Sequence, residues 1–245
     1  MGRYQISCPC HFGLESVLKF ETQRLGGEDI SCGDGRVTFY GDENTIAKAN
    51  LWLRTAERVQ IVLAQFPAKN FEELFQGVRA IAWEEYVGKT DRFPVKGYSL
   101  HSALHSVPDC QSIVKKAIVE RMKQHYRVGW LEETGPVVQV QFAILKNSVT
   151  VMLDTSGIGL HKRGYRRDAN AAPMKETLAA GIADLARVRA DSYVYDPFCG
   201  SGTLLIESAL KALNIAPGIK RRFLAERWGW LPLTIWNRAR EEALD

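Results

Sequence analysis

The tightest constraint on the architecture of this chain is eight residues long: Asp196-Pro197-Phe198-Cys199-Gly200-Ser201-Gly202-Thr203. Tyr193 to Asp196 before it reads as a short extended run. After it, Ile206, Ala209, Leu210 and Leu213 fall at i, i+3, i+4 and i+7, one face of a helix. Strand, glycine turn and helix in this order form the repeating unit of an open α/β sheet. In such a unit the backbone amides of the helix N-terminus face the crevice beyond the strand, where an anion or carboxylate is the natural guest.

The residue types narrow that guest further. A phosphate-binding P-loop needs Lys where Gly202 stands, and a dinucleotide fingerprint needs Gly or Ala where Leu205 stands. A Gly-x-Gly turn can also simply join a strand to a helix without strain. As a binding loop, its amides would hold the carboxylate of an amino-acid-like ligand and Asp196 its ammonium; S-adenosylmethionine carries both groups.

Two units precede this one. In the first, Tyr4 to Cys8 alternates as a strand, Leu14, Val17, Leu18 and Leu25 form a helical stripe closed by Gly26 and Gly27, and Asp34-Gly35 turns a hairpin. Asp42 caps a helix running to about Leu53, and Arg58 to Phe66 alternates as another strand. In the second, Asn70 caps a helix bearing Phe71, Leu74, Phe75, Val78 and Ile81, Phe93 to Leu100 is extended, and an amphipathic helix lies between Pro108 and Tyr126. Val138 to Ile144 and Val149 to Leu153 alternate about Lys146-Asn147, a hairpin. The small residues Thr155 to Gly159 suggest a linker, and Pro173 suits the first turn of a helix with Leu178, Ile182 and Leu185 on one face.

With 46% hydrophobic residues the chain can bury a core, and no apolar run approaches the roughly 18 to 20 residues of a membrane helix. A net charge of +4 permits a nucleic-acid partner without announcing one. Charge placement carries more weight. His161, Lys162, Arg163, Arg166 and Arg167 form one basic stretch and Lys220, Arg221, Arg222 and Arg227 another, the latter beside Trp228, Trp230 and Trp236 as stacking or packing groups. Five irregularly spaced cysteines fit a reduced, cytoplasmic setting. Cys8, Cys10 and His11 lack the second ligand pair of a structural zinc site, so no metal is expected. His101 and His105 lack an intervening Glu, and Cys199 reads as a small packing residue.

The octapeptide resembles the first motif of the THUMP-domain class I RNA methyltransferases, particularly the bacterial group that methylates guanine N2 in large-subunit ribosomal RNA. Leu160-His161-Lys162-Arg163-Gly164-Tyr165-Arg166, Ala172-Pro173-Met174-Lys175-Glu176-Thr177-Leu178-Ala179-Ala180 and Asn214-Ile215-Ala216-Pro217-Gly218 extend the similarity, which covers essentially the whole chain. It implies an α+β N-terminal part, a ferredoxin-like unit (1–66) and THUMP (67–155), with Leu100-His101-Ser102 through Ala117-Ile118 as the THUMP signature. The start of an α/β Rossmann-like methyltransferase domain (156–245) follows.

By the same resemblance Asp196, Phe198, Gly200, Ser201, Gly202 and Thr203 would wrap the methionine end of S-adenosylmethionine. Lys162, Arg163 and Arg166 would meet structured RNA, ribosomal or transfer, or wall the cofactor cleft. The family's Asn/Asp-Pro-Pro-aromatic motif, which receives the extruded base, occurs nowhere in these 245 residues. Catalytic residues are therefore unassigned, and the expectation is a C-terminally truncated, inactive piece. Two other readings stand beside this one: a non-catalytic RNA-binding THUMP protein, and a methyltransferase for adenine N6 in DNA.

Overall fold

The computed structural model describes residues 2–166 and 173–244. In chain order its elements are β1 (Tyr4–Pro9), α1 (Glu15–Arg24), β2 (Glu28–Gly33), β3 (Arg36–Gly41), α2 (Glu43–Trp52), β4 (Gln60–Pro67), α3 (Phe71–Arg79), β5 (Val95–Leu100), α4 (Val107–Tyr126), β6 (Gln139–Leu145), β7 (Ser148–Asp154), α5 (Glu176–Leu185), α6 (Thr203–Ala212) and α7 (Leu233–Glu241). They fall into two compact units. One comprises Met1–Val59, Ser156–Phe223 and Leu233–Asp245; the other comprises Gln60–Thr155 and Leu224–Pro232. Among the described residues no helix is long and apolar enough to cross a membrane.

In the first unit β3 lies between β2 and β1, all antiparallel, in a register running from Tyr4 opposite Gly41 to Pro9 opposite Arg36. The β2–β3 turn has positive φ at both Asp34 (50°) and Gly35 (71°), the requirement of the tight turn that matches strand twist. Ile6, Cys8, Val37 and Phe39 from the strands pack with Leu18, Ile46 and Leu51 from the helices, all buried. Asp42 closes a capping box on α2: its carboxylate accepts from Thr45 N at 2.8 Å, while Thr45 Oγ1 receives Asp42 N. The small stretch after β7 is packed rather than a free linker, for Ser156 Oγ donates to Asn50 Oδ1 at 2.7 Å and accepts from Val59 N.

The second unit has strand order β4-β7-β6-β5. Lys146 and Asn147, both at positive φ, turn β6 into β7, and β5 runs parallel to β6 through the crossover helix α4. Leu74, Val78, Val114, Ile118 and Met122 fill its interior with Val140, Phe142 and Val151. Strand β4, placed by the sequence at the end of the first unit, pairs with β7 and belongs to this one.

Two helical faces differ from their sequence expectation. On α5, Leu185 is 62% exposed, and the buried side is the small one, Ala179, Ala180, Gly181 and Ala183. A methyl group on Gly181 would lie 2.5 Å from Leu14, so close approach of α5 to α1 selects small residues there. On α6, Thr203, Glu207 and Ser208 are buried while Leu213 is 69% exposed. Tyr193 to Asp196 is not a strand: a strand exists through its ladder, and among the described residues no neighbouring strand pairs with it.

Glu57 gathers residues distant in sequence. Thr177 Oγ1 donates to it at 2.5 Å, and His11, His161 and Lys175 stand 3.3, 3.2 and 3.6 Å from its oxygens. Burial pushes its carboxyl up, but the Thr177 hydrogen bond and the nearby cations outweigh that and hold it below the ordinary carboxylate range. Burial likewise holds His161 below its ordinary value, against the pull of Glu57.

Replacing Asp42 by Ala should lower stability by about 1 kcal/mol, seen as a lower urea midpoint at unchanged slope. For both Glu57 and His161 the folded state binds fewer protons than the unfolded one, so their contribution is complete above pH 6.5, the unfolded histidine value, and declines on acidification. Glu57→Gln should shrink the loss of stability below pH 4.5 and enlarge the histidine portion just below pH 6.5, as measured by melting temperature against pH.

Candidate functional site

The glycine loop opens α6. Asp196 Oδ1 accepts Phe198 N at 3.0 Å, turning the chain, and Gly202 N donates to Cys199 O at 2.8 Å. Gly200 (φ 53°) and Gly202 (φ 70°) lie in the left-handed region, where a side chain would strain the backbone. A methyl group added to either would meet nothing within 4 Å, so the face of the loop is open to a ligand. The first amides of α6 lack intrahelical acceptors and carry the positive end of the helix dipole.

Thr203 anchors the loop from behind. It is 3% exposed, and its Oγ1 accepts from Arg166 Nη2 at 2.6 Å and lies 3.1 Å from Ser201 Oγ. Arg166 also stands 3.4 Å from Glu176 and donates to Met174 O. One turn further along α6, the buried Glu207 receives the Tyr165 hydroxyl at 3.0 Å and lies 3.6 Å from Arg163 Nε. Burial raises the Glu207 carboxyl above its usual range against the pull of Arg163 and Tyr165, and burial beside Glu207 pushes the Tyr165 phenol far up.

The expected site residues therefore separate. Arg166, Ser201, Gly202 and Thr203 come together. Phe198 is 93% exposed, and Asp196 is half-buried with Oδ1 committed to its own turn. Lys162 is exposed. Arg163, expected at the RNA surface, is buried, with its guanidinium donating to Leu160 O at 2.6 Å and to Arg54 O. Arg167 and Ala172 lie outside the described residues.

The three tryptophans of the second basic stretch are packing groups. Trp236 is buried and stacks on Phe223, while the indoles of Trp228 and Trp230 donate to Val137 O and Tyr86 O. Among the described residues no group of three or more His, Cys, Asp or Glu side chains is placed to hold a metal. Sequence reasoning missed Glu176 and Glu207. A carboxylate four residues after Thr203, one turn along the same face of α6, was the available signal.

Fold and loop together define a chain with a small α+β opening unit, a sheet-and-helix module and a glycine loop at a helix N-terminus. Three family models match it in that order: the RlmL ferredoxin-like domain over residues 5–60, the THUMP domain over 68–154, and the RMKL-like methyltransferase domain over 163–244. Together these matches give the chain the domain set of a THUMP-domain methyltransferase.

YpsC of Bacillus subtilis (strain 168) is 48% identical over 244 residues, 99% of this chain and 63% of its own length. The ribosomal RNA large subunit methyltransferase K/L of Pseudomonas aeruginosa is 35% identical over 98% of this chain and 34% of its own length. A Listeria monocytogenes crystal structure, described as a predicted N6-adenine-specific DNA methylase, matches with TM-score 0.96 and 49% identity over 100% of this chain and 64% of that one. SMU.472, solved in complex with SAH, matches with TM-score 0.94 and 43% identity over 99% and 64% of the two chains. The chain thus spans less than two thirds of each of these four proteins.

The opposite environments of Arg163 and Lys162 make opposite expectations. Arg163→Met, which strands Glu207 in the interior, should cost about 3 to 5 kcal/mol in denaturant unfolding. Lys162→Met should stay within about 0.5 kcal/mol.

Proposed function

We propose that this chain carries the RNA-gripping part and the methionine-binding loop of an RNA methyltransferase that uses S-adenosylmethionine, with guanine N2 of large-subunit ribosomal RNA as the acceptor. In this reading residues 1–66 and 67–155 hold structured RNA and residues 156–245 begin the cofactor domain. The open glycine face at the start of α6, braced by Arg166 through Thr203, carries the proposal. The name of the Pseudomonas relative and the SAH bound to SMU.472 support it.

The residues present fit the amino-acid end of the cofactor. The amides of Thr203 and the residues after it would donate to its carboxylate, and Asp196, through Oδ2, would accept from its ammonium. When bound, the group supplies an electrophilic sulfonium methyl, and an exocyclic amine can take it directly without a covalent enzyme intermediate. This chain's contribution is positioning: rigid amides on the cofactor side and cationic surfaces on the nucleic-acid side. No Asn/Asp-Pro-Pro-aromatic tetrapeptide is present to seat the base, so residues 1–245 alone are proposed to bind without turning over.

The description of the Listeria protein favours DNA adenine as a second substrate class. The THUMP match in the same chain favours RNA.

Titrating SAH into the isotope-labelled chain should shift the amide resonances of Gly200 to Thr203; unmoved amides there would overturn the cofactor reading. At fixed salt an RNA hairpin should bind more tightly than duplex DNA of equal length, and the reverse order would move the substrate to DNA. With labelled cofactor and ribosomal RNA, robust turnover by residues 1–245 would refute the claim of inactivity.

A further inference from the structure

Two basic stretches some fifty residues apart in sequence meet in the first unit. Lys162 and Arg166 from one, and Arg221 and Arg222 from the other, line a single cleft of about 500 Å³ together with Ile158 and Glu176. The one carboxylate is already engaged, 3.4 Å from Arg166. Arg221 is 8% exposed and builds the wall, donating to Gly159 O at 3.0 Å and to Ile158 O at 2.5 Å. Lys162 and Arg222 are exposed. A cleft with four cations and one neutralised acid selects a dense anion, and its size suits a nucleotide-sized group.

Its place decides which anion. Arg166 belongs both to this cleft and to the anchor of the glycine loop, 2.6 Å from Thr203 Oγ1. An anion accepting from that guanidinium sits beside the loop proposed to hold the methyl donor. We infer that the cleft receives a backbone phosphate of the RNA strand next to the target nucleotide, with Lys162 and Arg222 as its outer contacts. This rests on the RNA reading above and adds to it a phosphate site outside the THUMP domain. A phosphate contact of this kind positions the strand without reading its sequence.

The test uses the chain and a fluorescein-labelled RNA hairpin, with affinity measured by anisotropy between 50 and 200 mM salt in the absence of cofactor. Each phosphate contact contributes about 0.7 to 0.9 to the slope of log affinity against log salt. Lys162→Gln and Arg222→Gln should therefore each reduce the fall in affinity across that salt range by about threefold, with melting temperatures near wild type. Lys19→Gln, an equal charge change on the exposed side of α1, should leave the slope unchanged.

Unchanged slopes in both cleft variants, or an equal effect at Lys19, would overturn the inference while leaving the RNA reading intact. Equal competition by polyglutamate would overturn it in favour of an acidic protein partner. No RNA binding by the wild-type chain would sink both this site and the RNA reading, and neither result depends on the SAH titration.

Discussion

A permanently charged guanidinium held away from water organises the unit that carries the glycine loop. Arginine side chains keep their charge in proteins, so a buried guanidinium has to be matched by acceptors and counter-charge. For Arg163, Leu160 O and Arg54 O accept from it, and the Glu207 carboxylate lies 3.6 Å from Nε as a counter-charge. Those three groups come from the segment before Arg163, the chain just after α2, and the second turn of α6. One side chain thus fixes the opening unit, the 160–166 segment and the helix behind the loop in mutual register. Arg54 adds a second tie, donating to Ile215 O at 2.8 Å. Tyr165 and Arg166 follow directly in sequence and grip α6 at Glu207 and Thr203, so the height and direction of its N-terminus follow from the Arg163 pocket.

Elements whose determinants are local were legible in the sequence. The Asp34-Gly35 and Lys146-Asn147 turns need positive φ at both central residues, and the alternating runs around them read directly as hairpins. Asp42 and Asn70 each receive the amide three residues on, as their residue types demand at a helix start. The glycine loop was legible for the same reason, since its conformation depends on two glycines and the helix that follows.

What resisted reading is what tertiary neighbours decide. Periodicity finds the apolar face of a helix but cannot say that the partner approaches too closely for large side chains, which is why α5 packs through alanines and Gly181 and leaves Leu185 outside. Tyr193 to Asp196 has strand composition and no ladder. The basic run 161–166 looks uniform in sequence, yet its members alternate between solvent and interior, and only the acceptors around Arg163 separate a structural cation from an available one. Tryptophans beside arginines left base stacking and packing both open, and indole N–H groups bonded to backbone carbonyls mark Trp228 and Trp230 as packing.

The same physics links the two surfaces of the first unit. Arg166 directs Nη2 at Thr203 and Met174 O and holds Nη1 3.4 Å from Glu176, so the guanidinium that faces the cleft has its plane set by the partners of the loop. A group entering the cleft therefore acts on the loop through one planar side chain. By thermodynamic reciprocity, whatever the loop binds acts on the cleft by the same factor. Lysine at position 166 would hold a point charge in the cleft but could not keep the forked geometry that spans Thr203 and Glu176. Arginine is the residue type that lets one position face a cleft and brace a backbone loop together, and in the proposed reading its shared use would put nucleic-acid contact and cofactor contact on a common mechanical element.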